Sequence, residues 1–432
     1  MNEFISNPEM ESILSRVDSL KSKKTRYSDI EDADGNQYVD LVQEGGGVLG
    51  IALVGYTYVL EKARIRFFSL AGTSAGAINT MLLTSVGKMS EAKSEKILEL
   101  LAKQSLFDFV DGPPAVKKLI TNLLSKPVFM KIIWTILFNF GSLKTALLKK
   151  YGLNPAVVFE KWIKEILNDV GIRDLATLDK QRNVLPDGLI NVNQGGNTER
   201  LQPKLAIVTA DVTTHTKVEF PRMAPLYWAE SEKINPARLV KASMSIPLFF
   251  EPLKIADIPD AGKKHHSSWI EMADYYGEIP SEALFVDGGL LSNFPINIFH
   301  RSDGGVPRMP TFGVRLSAYR DGYGPNENIG QLLGSIITTM RHDNDIEFLI
   351  KNPDYHHLIC QLDVDKDFNW LDFNMSKEKQ VQLFIAGAQK AIDFLENFNW
   401  PEYKELRANL GKIKKQVQET REKSQQKPEI IT

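Results

Sequence analysis

SLAGTSAGAIN, residues 69–79, closes an apolar stretch running from Ile65 to Leu70 and sets one serine, Ser74, between Gly72 and Gly76. A strand that turns sharply into a helix needs small neighbours, because bulky ones clash at the bend. A serine at such a bend stands at the helix N-terminus with its Oγ exposed, the arrangement of a nucleophile elbow. The same string can also be a small-residue turn without chemistry. The flanking elements bear on the choice.

Upstream, QYVDLVQEGGG from Gln37 reads as a strand running into glycines, and GIALVGYTYVLEKA has helical spacing. RIRFFSLAG is a second strand, and AGAINTMLLTSVG is the helix after Ser74. Strand, Gly-rich turn, helix, strand, elbow, helix is the grammar of an α/β protein with a parallel sheet. Residues 88 to about 200 break the rhythm; they are rich in Leu and Lys and read as a helical insertion. Alternation resumes with KLAIVTADVTT, TKVEF, EALFVDGG and TFGVRLSA. A helix near 328–350, a strand HHLICQLDV and a helix from Lys377 to Phe398 complete the layers, and from Pro401 the chain is highly charged.

The 432 residues can bury a large core, and 43% hydrophobic with 25% charged residues is ordinary for a globular protein. A formal net charge of −2 argues against nucleic acid as a partner. The single cysteine, Cys360, excludes an internal disulfide and a cysteine metal cluster. The N-terminal MNEFISNPEMESILSRVDSL carries acids and no apolar core, so it does not read as a secretory signal, and no uncharged stretch reaches the length of a membrane span. A cytoplasmic protein is the expectation.

Gly45, Gly46 and Gly47 follow the first strand, and Gly50 opens the next helix. Glycines there let backbone N–H groups approach an anion without obstruction by Cβ. A phosphate loop would need a Lys-Ser/Thr pair after them, and Val48 and Leu49 stand instead. GGGVLG fits a dinucleotide fingerprint, but the nearest acid, Glu61, lies in a helical stretch. An oxyanion hole for an intermediate at Ser74 needs only N–H donors and is the better reading. A serine also needs a base. His215, His265, His266, His300, His342, His356 and His357 sit in no strand-end motif, whereas Asp287 ends an apolar strand and precedes Gly288 and Gly289. An acid at a strand's C-terminal end is a placement for chemistry in parallel sheets, although Asp-Gly is also a common turn.

EGGGVLG, GTSAG and DGG, in this order, resemble the patatin-like phospholipases. KASMSIPLFFEP (241–252) and NWLDFNMSKEKQ followed by LFIAGAQKAIDFL extend the resemblance to roughly residues 37–398. It implies a three-layer α/β/α sheet with a helical cap insertion and a charged C-terminal helical tail. With the flanking stretches read from their composition, the expected organisation is a polar extension over 1–36, a catalytic domain over 37–400 with its cap at 88–200, and a charged tail over 401–432. The implied activity is that of a calcium-independent lipid acyl hydrolase of phospholipase A or lysophospholipase type. It would use a Ser–Asp dyad without histidine: Ser74 as nucleophile, Asp287 as base, and N–H groups of Gly45–Gly47 around the oxyanion. Gly50, Gly72, Gly76, Gly288 and Gly289 support these motifs, and no cofactor or metal is called for. One departure stands out: Leu49 occupies the position where the family usually has Arg or Lys. A catalytically silent lipid-binding or regulatory module on this fold, and a histidine-assisted esterase of small esters, are the alternatives.

DVDKDFNWLDFN imitates the start of a calcium loop, with Asp363, Asp365 and Asp367 in step, but Phe368 replaces the turn glycine and Asn374 the last glutamate. Residues 115–150 hold seven lysines and no acid around an apolar centre, VFMKIIWTILFNF. Such a stretch suits an interfacial helix on an anionic membrane, with Lys131, Trp134 and Phe138 as contacts, and equally suits a buried cap helix. The expected partner is membrane phospholipid, which makes a peripheral membrane location the companion of the cytoplasmic one; any protein activator is unread.

Overall fold

The strand Ile65–Thr73 is buried at every position but Arg66, as a strand covered on both faces must be. The computed structural model describes residues 2–114, 116–117, 149–193, 201–301, 305–317, 335, 339 and 345–425. Within them the first strands are β1 (Ile30–Glu31), β2 (Gln37–Gln43), β3 (Ile65–Thr73), β4 (Gly152–Asn154) and β5 (Ile190–Asn191). Then come β6 (Leu205–Asp211), β7 (Thr216–Phe220), β8 (Leu248–Phe250) and β9 (Leu253–Ala256). β10 (Glu282–Asp287), β11 (Thr311–Arg315) and β12 (Ile359–Gln361) follow.

The sheet runs β12–β11–β2–β3–β6 with every neighbour parallel. β7 folds back on β6 as an antiparallel hairpin, β10 pairs antiparallel with β6, and β9 pairs antiparallel with β10. The α/β class with flanking helices therefore stands, but the sheet is mixed, and the strand carrying Asp287 runs against its neighbour. β3 and β10 divide one edge of β6. A strand has two edges. β7 fills one of them along Ile207–Asp211. β3 pairs with Leu205–Val208 and β10 with Thr209–Asp211, so the two share the other edge and meet end to end. Thr73 lies opposite Val208 and Asp287 opposite Thr209.

Local rules account for the helices. Pro8–Ser22 starts with Asn7 accepting from the Met10 N–H at 2.9 Å, has proline at its first position, and buries Met10, Ile13, Val17 and Leu20. It packs against Lys377–Asn397, which lies along Gly50–Lys62 in the most extensive helix contact among the described residues. A Cβ on Gly55 would strike the carbonyl of Phe384, and one on Gly387 that of Ala52, so glycine on each helix permits the approach. Ile30, Tyr38, Phe68 and Met309 form a small second cluster apart from this main core.

The insertion is less uniform than its composition suggests. Helices Ser94–Lys103, Val157–Asp169 and Leu175–Arg182 are present, but β4 returns to pair in parallel with β8, and β5 pairs with β1. Residues 118–148, with Lys131, Trp134 and Phe138, lie outside the described residues, as does most of the helix expected near 328–350. The charged C-terminal stretch is the helix Trp400–Gln425.

Candidate active site

The head-on meeting of β3 and β10 brings together the residue that follows one strand and the residue that ends the other. Ser74 has φ 53° and ψ −118°, a left-handed backbone that costs a non-glycine residue on the order of 1–3 kcal/mol. It begins the helix Ala75–Ser85. Ser74 N–H donates to Ser243 Oγ at 2.9 Å, and its carbonyl accepts from Ile78 N–H at 3.1 Å. The flanking glycines are there for close approach. A Cβ on Gly72 would strike the backbone of Gly76, and a Cβ on Gly76 would strike the carbonyls of Gln43 and Glu44.

Asp287 is 6% exposed. Its N–H donates to the carbonyl of Ser245 at 2.8 Å, and its Oδ1 accepts from Gly289 N–H at 2.7 Å. Gly288 passes so close to the Val208 carbonyl that no Cβ would fit. Thr209 Oγ1 donates to Val286 O at 2.8 Å, tying β6 to the end of β10, and Thr73 Oγ1 donates to Ser292 O at 2.9 Å, tying the end of β3 to the segment after Asp287.

The glycine loop lies against this junction. A Cβ on Gly45 would stand 3.0 Å from that of Ser74. Gly45 N–H, however, donates to Asn293 O at 3.0 Å. Gly46 and Gly47 N–H have no acceptor among the described residues, while Val48 N–H is held by Trp370 O at 3.0 Å. Gly47 takes φ +55°. Leu49 is buried and Gly50 opens the helix Gly50–Lys62. Glu61 caps another helix instead of facing a ligand, accepting from the N–H groups of Lys93 and Ser94 at 2.9 and 2.7 Å.

Three residues of this architecture escaped the sequence reading. Glu44, 1% exposed, accepts from Leu316 N–H at 2.6 Å, Ser317 Oγ at 2.7 Å and Asn293 Nδ2 at 3.3 Å, binding the glycine loop to the end of β11. Asn293 also donates to Gly45 O at 3.1 Å. Ser243 is the third. An acid beside three glycines was the one available signal for Glu44; the other two are seen only through contacts made far along the chain.

An apolar pocket opens beside the loop and the helix Ala75–Ser85. Its near wall is Gly47, Ile51, Ala75 and Ile78, and Phe109 and Trp162 line it from the insertion. Among the described histidines, His300 Nδ1 bonds Tyr355 OH at 2.8 Å and His266 pairs with Asp260 at 3.3 Å in an outer loop. His215 lines a separate groove with Ser292 and Asp345. The calcium-like stretch forms a single 3-10 turn, Val364–Lys366.

A family model described as patatin-like phospholipase matches residues 41–300, from β2 through the segment after Asp287. The chain belongs to the patatin-like phospholipase family. Its class is therefore that of lipid acyl hydrolases. A curated relative, YqhO of Bacillus subtilis (strain 168), is 29% identical over 366 residues, covering 84% of this chain and all of that one, and is itself uncharacterized. A crystal structure of VipD from Legionella pneumophila is similar at TM-score 0.38 and 15% identity, over 87% of this chain and 70% of that one. Among the described residues no helix is long and apolar enough to cross a membrane.

Proposed function

We propose that this protein is a calcium-independent hydrolase of membrane phospholipid or lysophospholipid, working through Ser74 and Asp287. The observation that carries the reading is the end-to-end junction of β3 and β10 on one edge of β6, with Ser74 in a strained elbow at that junction.

In this mechanism the Asp287 carboxylate takes the proton of the Ser74 hydroxyl as Oγ attacks the ester carbonyl. The tetrahedral oxyanion is met by the N–H groups of Gly46 and Gly47, and the first turn of Ala75–Ser85 adds the positive end of its dipole. Collapse expels the alcohol, which receives the proton from Asp287. Water, deprotonated by the same carboxylate, then attacks the acyl-enzyme; collapse releases the fatty acid and Ser74 Oγ takes the proton back from Asp287. The pocket between Ile51, Ile78 and Trp162 supports an acyl chain as the group held during both steps. An anionic membrane surface is the proposed site of action.

The test is fatty-acid release from mixed phospholipid vesicles with a chelator present. Wild-type release that is lost in both Ser74→Ala and Asp287→Asn is expected. Undiminished turnover by Asp287→Asn would transfer the base role to another residue, a histidine first. Absence of release together with absence of fluorophosphonate labelling at Ser74 would identify a silent lipid-binding module instead.

A further inference from the structure

The elbow at Ser74 is an unfavourable backbone conformation that persists only if its surroundings hold it. The holding group on its N–H side is a side chain. Ser243, fully buried near the end of the helix Ala237–Met244, receives the Ser74 N–H on its Oγ at 2.9 Å and donates its own proton to Val208 O at 2.5 Å. The proton arrangement is forced, because an amide N–H only donates and a carbonyl only accepts. Val208 is the residue of β6 opposite Thr73, one step before the residue opposite Asp287. Two residues further on, the Ser245 carbonyl receives the Asp287 N–H at 2.8 Å. One tripeptide, Ser243-Met244-Ser245, thus grips the backbone of both members of the proposed dyad.

We infer that Ser243 is a positioning residue for the reaction, its hydroxyl fixing the elbow at the spacing from Asp287 that proton transfer requires. This rests on the dyad reading above. Without that hydroxyl the Ser74 N–H and the Val208 carbonyl both lose a buried partner, and the elbow can relax away from Asp287. Substrate binding is untouched, because Ser243 lies behind the backbone and reaches neither the glycine loop nor the apolar pocket.

The experiment uses a soluble short-chain nitrophenyl ester, so that adsorption to an interface does not enter KM. Displacing a reacting group by about 1 Å can cost about 100-fold, so Ser243→Ala is expected to lower kcat by about 10- to 100-fold with KM within about twofold. Fluorophosphonate labelling of Ser74 should slow in parallel, and Ser243→Thr should recover most of the loss. The control is Ser85→Ala, which removes an equally buried hydroxyl from the far end of the nucleophile helix, where it meets only Met81 Sδ at 3.6 Å. That variant removes a buried hydroxyl without leaving a backbone group unpaired, so it should lose less stability and keep its kcat. If Ser243→Ala does not fold, Ser243→Cys carries the same comparison, with an intermediate kcat expected. Wild-type kcat in the Ala or Cys variant, or a loss of activity matching only the unfolded fraction, overturns the inference and leaves the dyad standing. A wild-type protein that neither turns over ester nor labels at Ser74 overturns the dyad reading and this inference with it.

Discussion

Gly76 stands where a side chain has nowhere to go, since a Cβ there meets the carbonyls of Gln43 and Glu44 at the base of the glycine loop. Alanine would improve helix propensity by up to about 1 kcal/mol. It would also push the helix Ala75–Ser85 off the end of β2, and overpacking against fixed backbone costs about 1–3 kcal/mol or more. Gly76→Ala is therefore expected to slow Ser74 labelling by about 100-fold while leaving a folded protein, read by labelling rate beside circular dichroism. A second residue acts through charge. Asp345, 7% exposed, accepts from Ser292 Oγ at 2.8 Å and Phe294 N–H at 2.6 Å, but burial outweighs these bonds and pushes its carboxyl up to about 7. The folded state then holds a proton that the unfolded state releases near pH 4, so this group's contribution to stability declines as pH rises from about 4 to about 7. Asp345→Asn removes that titration. Its stability relative to wild type should improve by about 2–4 kcal/mol between pH 5 and pH 8 in urea titrations, and parallel curves would contradict the assignment.

Between elements, what the sequence discloses depends on how local the cause is. Val39, Leu41 and Val42 beside a glycine run, and Gly72-x-Ser74-x-Gly76 after an apolar stretch, carry their strand-turn-helix meaning within a dozen residues, and β2, β3 and both following helices lie where that pattern puts them. The direction of β10 has no such local cause. EALFVD is as apolar as a parallel strand would be, and its direction is seen only in its pairing with β6. Ser243 and Asn293 were invisible for the same reason: each acts on a residue more than a hundred positions away. The crossing of Gly50–Lys62 with Lys377–Asn397 is another long-range fact. At Gly387→Ala the propensity gain of about 1 kcal/mol is set against a Cβ driven into the Ala52 carbonyl, and a net loss of about 1–3 kcal/mol is expected in urea unfolding. Labelling of Ser74 per folded molecule should slow as well, because Ala52 follows Ile51 of the pocket wall and Gly50, which packs on Ala75.

For the molecule as a whole, composition alone misjudges where the chain stops contributing to the fold. The C-terminal helix is highly charged, yet its first two turns are docked. Trp400 is buried and donates its Nε1–H to Asp29 at 2.7 Å, Lys404 reaches the same carboxylate at 2.8 Å, and Tyr403 is buried beside them. Arg407, 3% exposed, pairs with the equally buried Asp354 at 2.9 Å. Further along, Ile413 and Val417 are 55% and 46% exposed, so the helix has left the body by then. Charge by itself could not separate the two halves, because Lys404 and Arg407 look like Lys414 and Lys415 until their partners, Asp29 and Asp354, are known. The separation predicts unequal truncations. A chain ending at Leu410 should keep the wild-type unfolding midpoint and the wild-type labelling rate at Ser74. A chain ending at Asn399 strips Asp354 of its buried partner and uncovers the surface under Trp400 and Tyr403. Breaking one buried ion pair costs about 3–5 kcal/mol, a large share of the stability of an ordinary domain, so this chain should be recovered unfolded or aggregated. Arg407→Met breaks the same pair but keeps the docking of Trp400 and Tyr403, so it should cost about 3–5 kcal/mol in urea unfolding and still be recovered folded; recovery only as unfolded or aggregated chain would mean that the ion pair, and not the aromatic docking, holds the helix in place.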